Sequence, residues 1–188
     1  MPNKLRCLLL CEDEGHEQLF RPILEKRFGW HRVRVAARRG KEGGFTFVLS
    51  RLKVAVGFLR QHTGEAVGLL VAVDADDAGF QRRYEDIKKA FHKEGLDGKG
   101  LERVAICIPS RNVETWGLWL CGFRDLDEHR DFKKRFEREV KSGLRPKQLV
   151  EAWDASLSEQ DAQEEARVLP ALAHGRKEVA RLQQFAKG

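Results

Sequence analysis

A mostly parallel, four-stranded α/β sheet flanked by helices is the fold this sequence predicts, and three observations predict it. Two runs, Leu8-Leu9-Leu10-Cys11 and Leu69-Leu70-Val71-Ala72-Val73, are short and uniformly apolar, the pattern of strands buried on both faces. Strand-like and helix-like segments alternate as β-α-β-α-β-α-β-α over the first two thirds of the chain, which implies parallel strands joined by helical crossovers. Both runs end in acids, Glu12 after the first and Asp74-Ala75-Asp76-Asp77 after the second. The carboxyl ends of strands line the crevice where open α/β sheets bind ligands.

Each element has its own signal. Residues 5–12 read as a strand, and 16–28 as a helix with Leu19, Phe20, Ile23, Leu24 and Phe28 on one face. Residues 32–37, Arg-Val-Arg-Val-Ala-Ala, form a short strand, and Gly40, Gly43 and Gly44 mark the loop after it. A long helix over 45–62 carries Phe45, Leu49, Leu52, Val56 and Leu59 as a core stripe. The second buried strand covers 67–74, a charged amphipathic helix 78–94, and a fourth strand 103–108, stopped by Pro109. A helix starts near Val113. From about 125 onward no strand signal remains. Helices are predicted over 131–141, 146–154, 158–168 and 171–186, with Pro146 in a first turn and Pro170 separating the last two. Ser158 with Asp161 resembles a capping box, while the polar stretch 156–165 also suits a mobile linker. The division is an α/β domain over 1–124 and a helical C-terminal extension over 125–188.

With 188 residues and 41% hydrophobic content, the chain is long enough for one domain with a real core. No apolar run approaches the roughly 20 residues that cross a bilayer, and the first one ends in acids, unlike a signal peptide. Cys7 and Cys11 lie about 13 Å apart on one strand, too far for a disulfide or a shared zinc. Buried free thiols and a cytoplasmic protein are therefore expected. The net charge of +6 and the pI near 9.3 permit nucleic-acid binding. The densest basic stretch is Arg32, Arg34, Arg38, Arg39 and Lys41, and Arg38 and Arg39 are candidate polyanion contacts. Lysines and arginines elsewhere alternate with acids and suit solvated helix faces.

Strand alternation puts Asp74 and Asp76 on one side, with Ala75 between them. Adjacent hard oxygen ligands suit Mg²⁺ or Mn²⁺. Asp77 suits the cap of the next helix. Glu114, at the start of a helix after the fourth strand, serves equally as a further metal ligand or as a complement to the helix dipole. Arg111, and more weakly Lys133 or Lys134, could offset phosphate charge. His16 opens a helix, where a lone histidine is more often a surface or capping residue than a ligand. Trp116 and Trp119 read as core.

A strand ending in Glu12, followed by a later strand ending in Asp74-Ala75-Asp76, resembles the signature of the Toprim fold over roughly residues 5–122. Pro109-Ser-Arg-Asn-Val-Glu-Thr-Trp116 is similar to a segment of small stand-alone Toprim-like proteins of bacterial genomes, many linked to phage defence. The resemblance implies a nuclease related to the OLD type. In it Asp74 and Asp76 hold Mg²⁺ or Mn²⁺, Glu12 acts as acid/base or further ligand, and Glu114 completes a second ion's shell. Toprim proteins usually have glycine directly after the glutamate. This chain has Glu12-Asp13-Glu14-Gly15, so Glu14 is an alternative to Glu12. Glu12 is preferred because it ends the apolar run directly.

Topoisomerase chemistry needs a nucleophilic tyrosine outside this domain, and the sole tyrosine, Tyr84, falls within the helix after the aspartates. A primase would need a zinc-binding module and an RNA-polymerase core, and neither is expected from this sequence. The expectation is hydrolysis of DNA, ahead of RNA, with a separate ATPase as a candidate partner, since the chain lacks a phosphate-binding Gly-x-x-x-x-Gly-Lys loop. A homodimer is compatible. The competing expectations are a non-catalytic or partner-activated subunit and a phosphohydrolase for a small substrate.

Overall fold

In the computed structural model, which describes residues 6–28, 33–37, 44–63, 65–140 and 146–185, four parallel strands form one sheet. They are β1 (Arg6–Cys11), β2 (Val33–Ala37), β3 (Val67–Ala72) and β4 (Val104–Cys107), in the order β2-β1-β3-β4. Between them lie α1 (Glu14–Phe28), α2 (Gly44–Gln61) and α3 (Phe80–Lys93). After the sheet come α4 (Val113–Leu120), α5 (Lys133–Glu139), α6 (Pro146–Asp154), α7 (Glu159–Val168) and α8 (Pro170–Phe185). The α/β class and the parallel sheet with helices on both faces are as the sequence predicts. The fold is Rossmann-like. Among the described residues no helix is long and apolar enough to cross a membrane.

Burial on both faces explains the uniform apolar runs. Cys7, Leu9, Cys11, Leu70, Ala72 and Cys107 face the layer containing α1, α4, α6 and α8. Leu10, Leu69, Val71, Val73, Val104 and Ile106 face the layer of α2 and α3. The strand order sets the site. The chain leaves β1 for β2 on one side and returns past β1 to β3 on the other, so the crossovers diverge between β1 and β3. Such a switch point opens a crevice at the carboxyl ends of the two strands.

The C-terminal helices share the apolar core of the α1 face, where Phe20 packs edge-on to both Trp116 and Trp153 with centroids 6.0 Å apart. The stretch 156–165, weighed above as a linker, is largely helical as α7. Ser158 caps it, its hydroxyl accepting the Asp161 N–H at 3.1 Å. Two buried carboxylates pin this layer. Glu128 accepts the Trp116 indole N–H and the Ala171 N–H. Glu165 accepts the Trp119 indole N–H at 3.0 Å and a two-pronged contact from Arg176 at 2.7 and 3.1 Å. The edge strand β4 is covered by α8, where Glu178 accepts the Ile106 N–H and Arg181 donates to the Val104 carbonyl. An edge satisfied by side chains cannot template another strand.

Two outcomes follow from this packing. Glu165→Ala leaves Arg176 and the Trp119 N–H without their buried partner and should cost about 3–5 kcal/mol, read from urea unfolding at neutral pH. Cys7, Cys11 and Cys107 are buried while Cys121 is exposed, and burial pushes the Cys7 thiol up to about 12 and Cys107 well above its ordinary value. A disulfide reagent added to native protein at pH 8 should therefore titrate Cys121 rapidly, with the other three reacting after denaturation.

Candidate metal centre

Sheet hydrogen bonding runs past the ends of the central strands and holds their acids in place. The Glu12 N–H donates to Ala72 O at 3.0 Å, Val73 N–H to Cys107 O at 3.2 Å, and Ala75 N–H to Pro109 O at 2.8 Å. Val73 and Ala75 pack into the α2–α3 layer, which leaves Asp74 between them on the α1 side. Asp74 is 4% exposed. Its backbone N–H donates to Glu12 Oε2 at 3.0 Å.

The third member of the group is His16, which is fully buried. Asp13 accepts the His16 backbone N–H at 3.1 Å and so caps the first turn of α1. The same oxygen lies 2.8 Å from His16 Nδ1, which fixes the ring. His16 Nε2 then meets Asp74 Oδ1 in an ion pair at 3.1 Å, and neither atom has a partner beyond the other. Ligand atoms of Glu12, His16 and Asp74 all lie within 4.8 Å of one another. The expectation that His16 caps or lies at the surface is corrected: Asp13 is the cap, and His16 is inside the acid cluster.

The remaining candidates divide. Glu14 is exposed at the start of α1, whereas Glu12 reaches Asp74, so the geometry favours Glu12 over Glu14. Asp76 lies beyond the strand, and its charge still adds to the shift on Glu12. Strand β3 stops at Ala72, and Asp76 enters a short 3₁₀ turn, Asp76–Ala78, with φ of +49° and an exposed side chain. Strand alternation no longer applies there, and Asp76 stands at the rim outside the compact group. Glu114 is also outside that group, but its Oε2 is buried without a partner. It lines a cavity of about 20 Å³ between Gln18, Leu19, Phe136 and Leu149, room for one water. Arg111 is paired with exposed Asp77. Lys133 is exposed at the start of α5, and Lys134 is exposed beside it. Arg38 and Arg39 lie outside the described residues. Tyr84 packs against Phe80, and Trp116 and Trp119 are core, as the sequence predicts.

Charge is concentrated at the crevice. Burial raises the pKa of Glu12, countered by the Asp74 N–H and reinforced by the Asp74 charge. Burial also raises Glu114, with Asp74 adding to the shift and Lys133 opposing it. Burial works against charge on His16, but Asp74 and Asp13 outweigh it and lift the imidazole to about 10. Burial likewise opposes charge on Asp13, yet His16 holds that carboxyl well below its usual range. Desolvation lowers Lys133, and Glu114, Asp74 and Asp13 more than offset this and raise it. Without an ion, a proton on His16 holds the acids together. With one, the same donors are a nitrogen and two carboxylates suited to a divalent cation.

Sequence reasoning missed two supports. Asn112 caps α4 by accepting from Thr115, and its amide donates to Asp131 at 3.0 Å. Asp131 in turn accepts the Lys133 N–H at 2.9 Å, which sets where Lys133 stands. Gly44 begins α2 against Glu12, where an added Cβ would fall 2.0 Å from Glu12 Oε1 and 2.1 Å from its Cγ.

The fold and cluster define a Rossmann-like α/β protein with an acid–histidine centre at its switch point. No protein-family model, curated protein or solved structure matches the chain.

Gly44→Ala should displace Glu12 without breaking the core. The expected result is a Mn²⁺ affinity reduced roughly tenfold or more and a stability loss of about 1–3 kcal/mol, measured by calorimetry and urea unfolding.

Proposed function

We propose that the chain is a metal-dependent phosphodiester hydrolase that cleaves nucleic acid, DNA ahead of RNA, with phage defence as the setting suggested by the Toprim resemblance. The observation that carries this reading is the convergence of Glu12, His16 and Asp74 at the switch point, with buried His16 Nε2 and Asp74 Oδ1 lacking partners beyond each other. Acids packed this closely need positive charge to stay ionised together, which protonated His16 supplies by itself and a divalent ion would supply in its place. When bound, a divalent ion, Mn²⁺ or Mg²⁺, lowers the pKa of water and draws charge from the phosphate's non-bridging oxygens.

The surrounding residues take the other roles. Glu12, His16 and Asp74 hold the ion, with Asp76 at the rim as an outer acceptor. Glu12 is occupied in the cluster, so the base role passes to Glu114. Its free buried oxygen and raised pKa suit it to take the proton from the attacking water. Lys133, drawn toward the same acids, offsets charge on the phosphate. Arg111 is held by an exposed aspartate in a pair open to solvent, which a phosphate can displace. The net charge of +6 favours a polyanionic substrate, and Arg38 and Arg39 extend its contact surface.

Plasmid, single-stranded DNA and RNA incubated with chelator-stripped protein plus Mn²⁺ or Mg²⁺ test the reading. The expected result is ion-dependent cleavage that EDTA stops and that falls on the order of 100-fold in Asp74→Asn and Glu12→Gln. Cleavage indifferent to EDTA and to both substitutions overturns the metal role. No cleavage of any substrate by ion-loaded protein overturns the stand-alone nuclease, in favour of a subunit activated by a separate ATPase. Hydrolysis of a nucleoside phosphate instead would make it a small-substrate phosphohydrolase.

A further inference from the structure

We infer that His16 makes this centre selective for a first-row transition-metal dication, Mn²⁺ or a later ion of that row, over Mg²⁺. The inference rests on the reading of Glu12, His16 and Asp74 as a metal centre and adds which metal it takes.

The ring of His16 is placed as a ligand is placed. Asp13 Oδ1 holds Nδ1 at 2.8 Å and the backbone N–H of the same residue at 3.1 Å. A carboxylate on one ring nitrogen fixes the tautomer and frees the lone pair of the other. That other nitrogen, Nε2, is buried and forms an ion pair with the buried Asp74 Oδ1, and neither atom has a further hydrogen-bond partner. Their separation is 3.1 Å. Two ligands at right angles on an ion with bonds of about 2.1 Å stand roughly 3.0 Å apart. The pair therefore needs little movement to share one ion.

The donor set decides the metal. Mg²⁺ is hard, keeps several waters and is bound through oxygen. Imidazole nitrogen is a poor ligand for it and a good one for the later divalent ions, with affinity rising along the row. An all-oxygen site built from Asp74 and Asp76 would suit either ion. Here Asp76 is exposed, and the buried group beside Asp74 is the His16 nitrogen.

The test uses the full chain, stripped with chelator, and Mn²⁺, Co²⁺ and Mg²⁺ added singly by calorimetry. Wild type should bind Mn²⁺ and Co²⁺ more than about tenfold more tightly than Mg²⁺. His16→Gln should weaken Mn²⁺ roughly 100-fold and Asp13→Asn about 10-fold, with Mg²⁺ affinity little changed. Because His16 is buried, a measurement on unaltered protein stands beside the variants: electron spin-echo modulation of bound Mn²⁺ should show a directly coordinated ¹⁴N. Bound Mn²⁺ without nitrogen coupling, or equal affinities for Mn²⁺ and Mg²⁺, overturns the inference and leaves the metal centre standing. Failure of wild type to bind any of the three ions overturns the metal centre itself and leaves a buried Asp13–His16–Asp74 ion-pair chain.

Discussion

The hydrogen bond from the Asp74 N–H to Glu12 Oε2 joins the ends of the two central strands, and the rest of the site is arranged around it. It works because β1 and β3 are neighbours in parallel register, with Cys11 opposite Ala72. Each strand then delivers its next residues to the same opening. The carboxylate of Glu12 is turned across the switch point and Asp74 is held toward α1. One acid therefore approaches from the α2 side, where Gly44 leaves it room, and the other from the α1 side, where His16 waits. A wider crossover or a strand between β1 and β3 would separate them.

Such a convergence is unfavourable by itself. Buried carboxylates repel one another and lose hydration, which is why burial raises the pKa of both Glu12 and Glu114. Positive charge is supplied from two directions. His16 comes from below, braced by Asp13, and Lys133 from the rim, placed by Asp131 and Asn112. The helices that carry these groups are fastened well away from the crevice. Helix α4 is tied through Trp116 and Trp119 to Glu128 and Glu165, and α8 is anchored along β4. Glu165 needs a partner for the same reason as Asp74, and there Arg176 provides it within the fold.

The sheet was legible because strands buried on both faces must be apolar throughout, and Leu8–Cys11 and Leu69–Val73 contain little else. Glu12 and Asp74 were legible as the first charges beyond those runs. Asp76 was not legible as a turn residue, because alternation was extended past the end of the strand at Ala72. Where a strand gives way to a turn depends on backbone hydrogen bonds, here the Ala75 N–H to Pro109 O, and pattern does not reveal them. His16 was undervalued for a different reason. A histidine in a first helical turn is usually solvated, and its burial here comes from Asp74, which lies 58 positions further along the chain. The one local sign was Asp13, three residues before it, a spacing that lets one carboxylate cap a helix and grip the ring. The C-terminal helices were visible as amphipathic segments, but their docking depends on buried carboxylates that composition counts as surface charge.

A buried histidine beside Glu12 and Asp74 changes the chemistry proposed for the crevice. A pair of aspartates on one strand is a flexible, all-oxygen seat, indifferent between hard ions. Glu12, His16 and Asp74 come instead from two strand ends and a helix, so their spacing is set by how α1 packs on the sheet. That packing runs through Leu19, Phe20, Ile23 and Leu24, all buried in the core shared with the C-terminal helices. The geometry of the centre is thereby coupled to the whole α1 face. Helix α6, which packs on α1, is the C-terminal element nearest to this coupling, while α8 bears on the sheet itself through β4. His16, mounted on a helix, is the part of this cluster most exposed to changes in the core behind α1, while Glu12 and Asp74 are placed by the sheet.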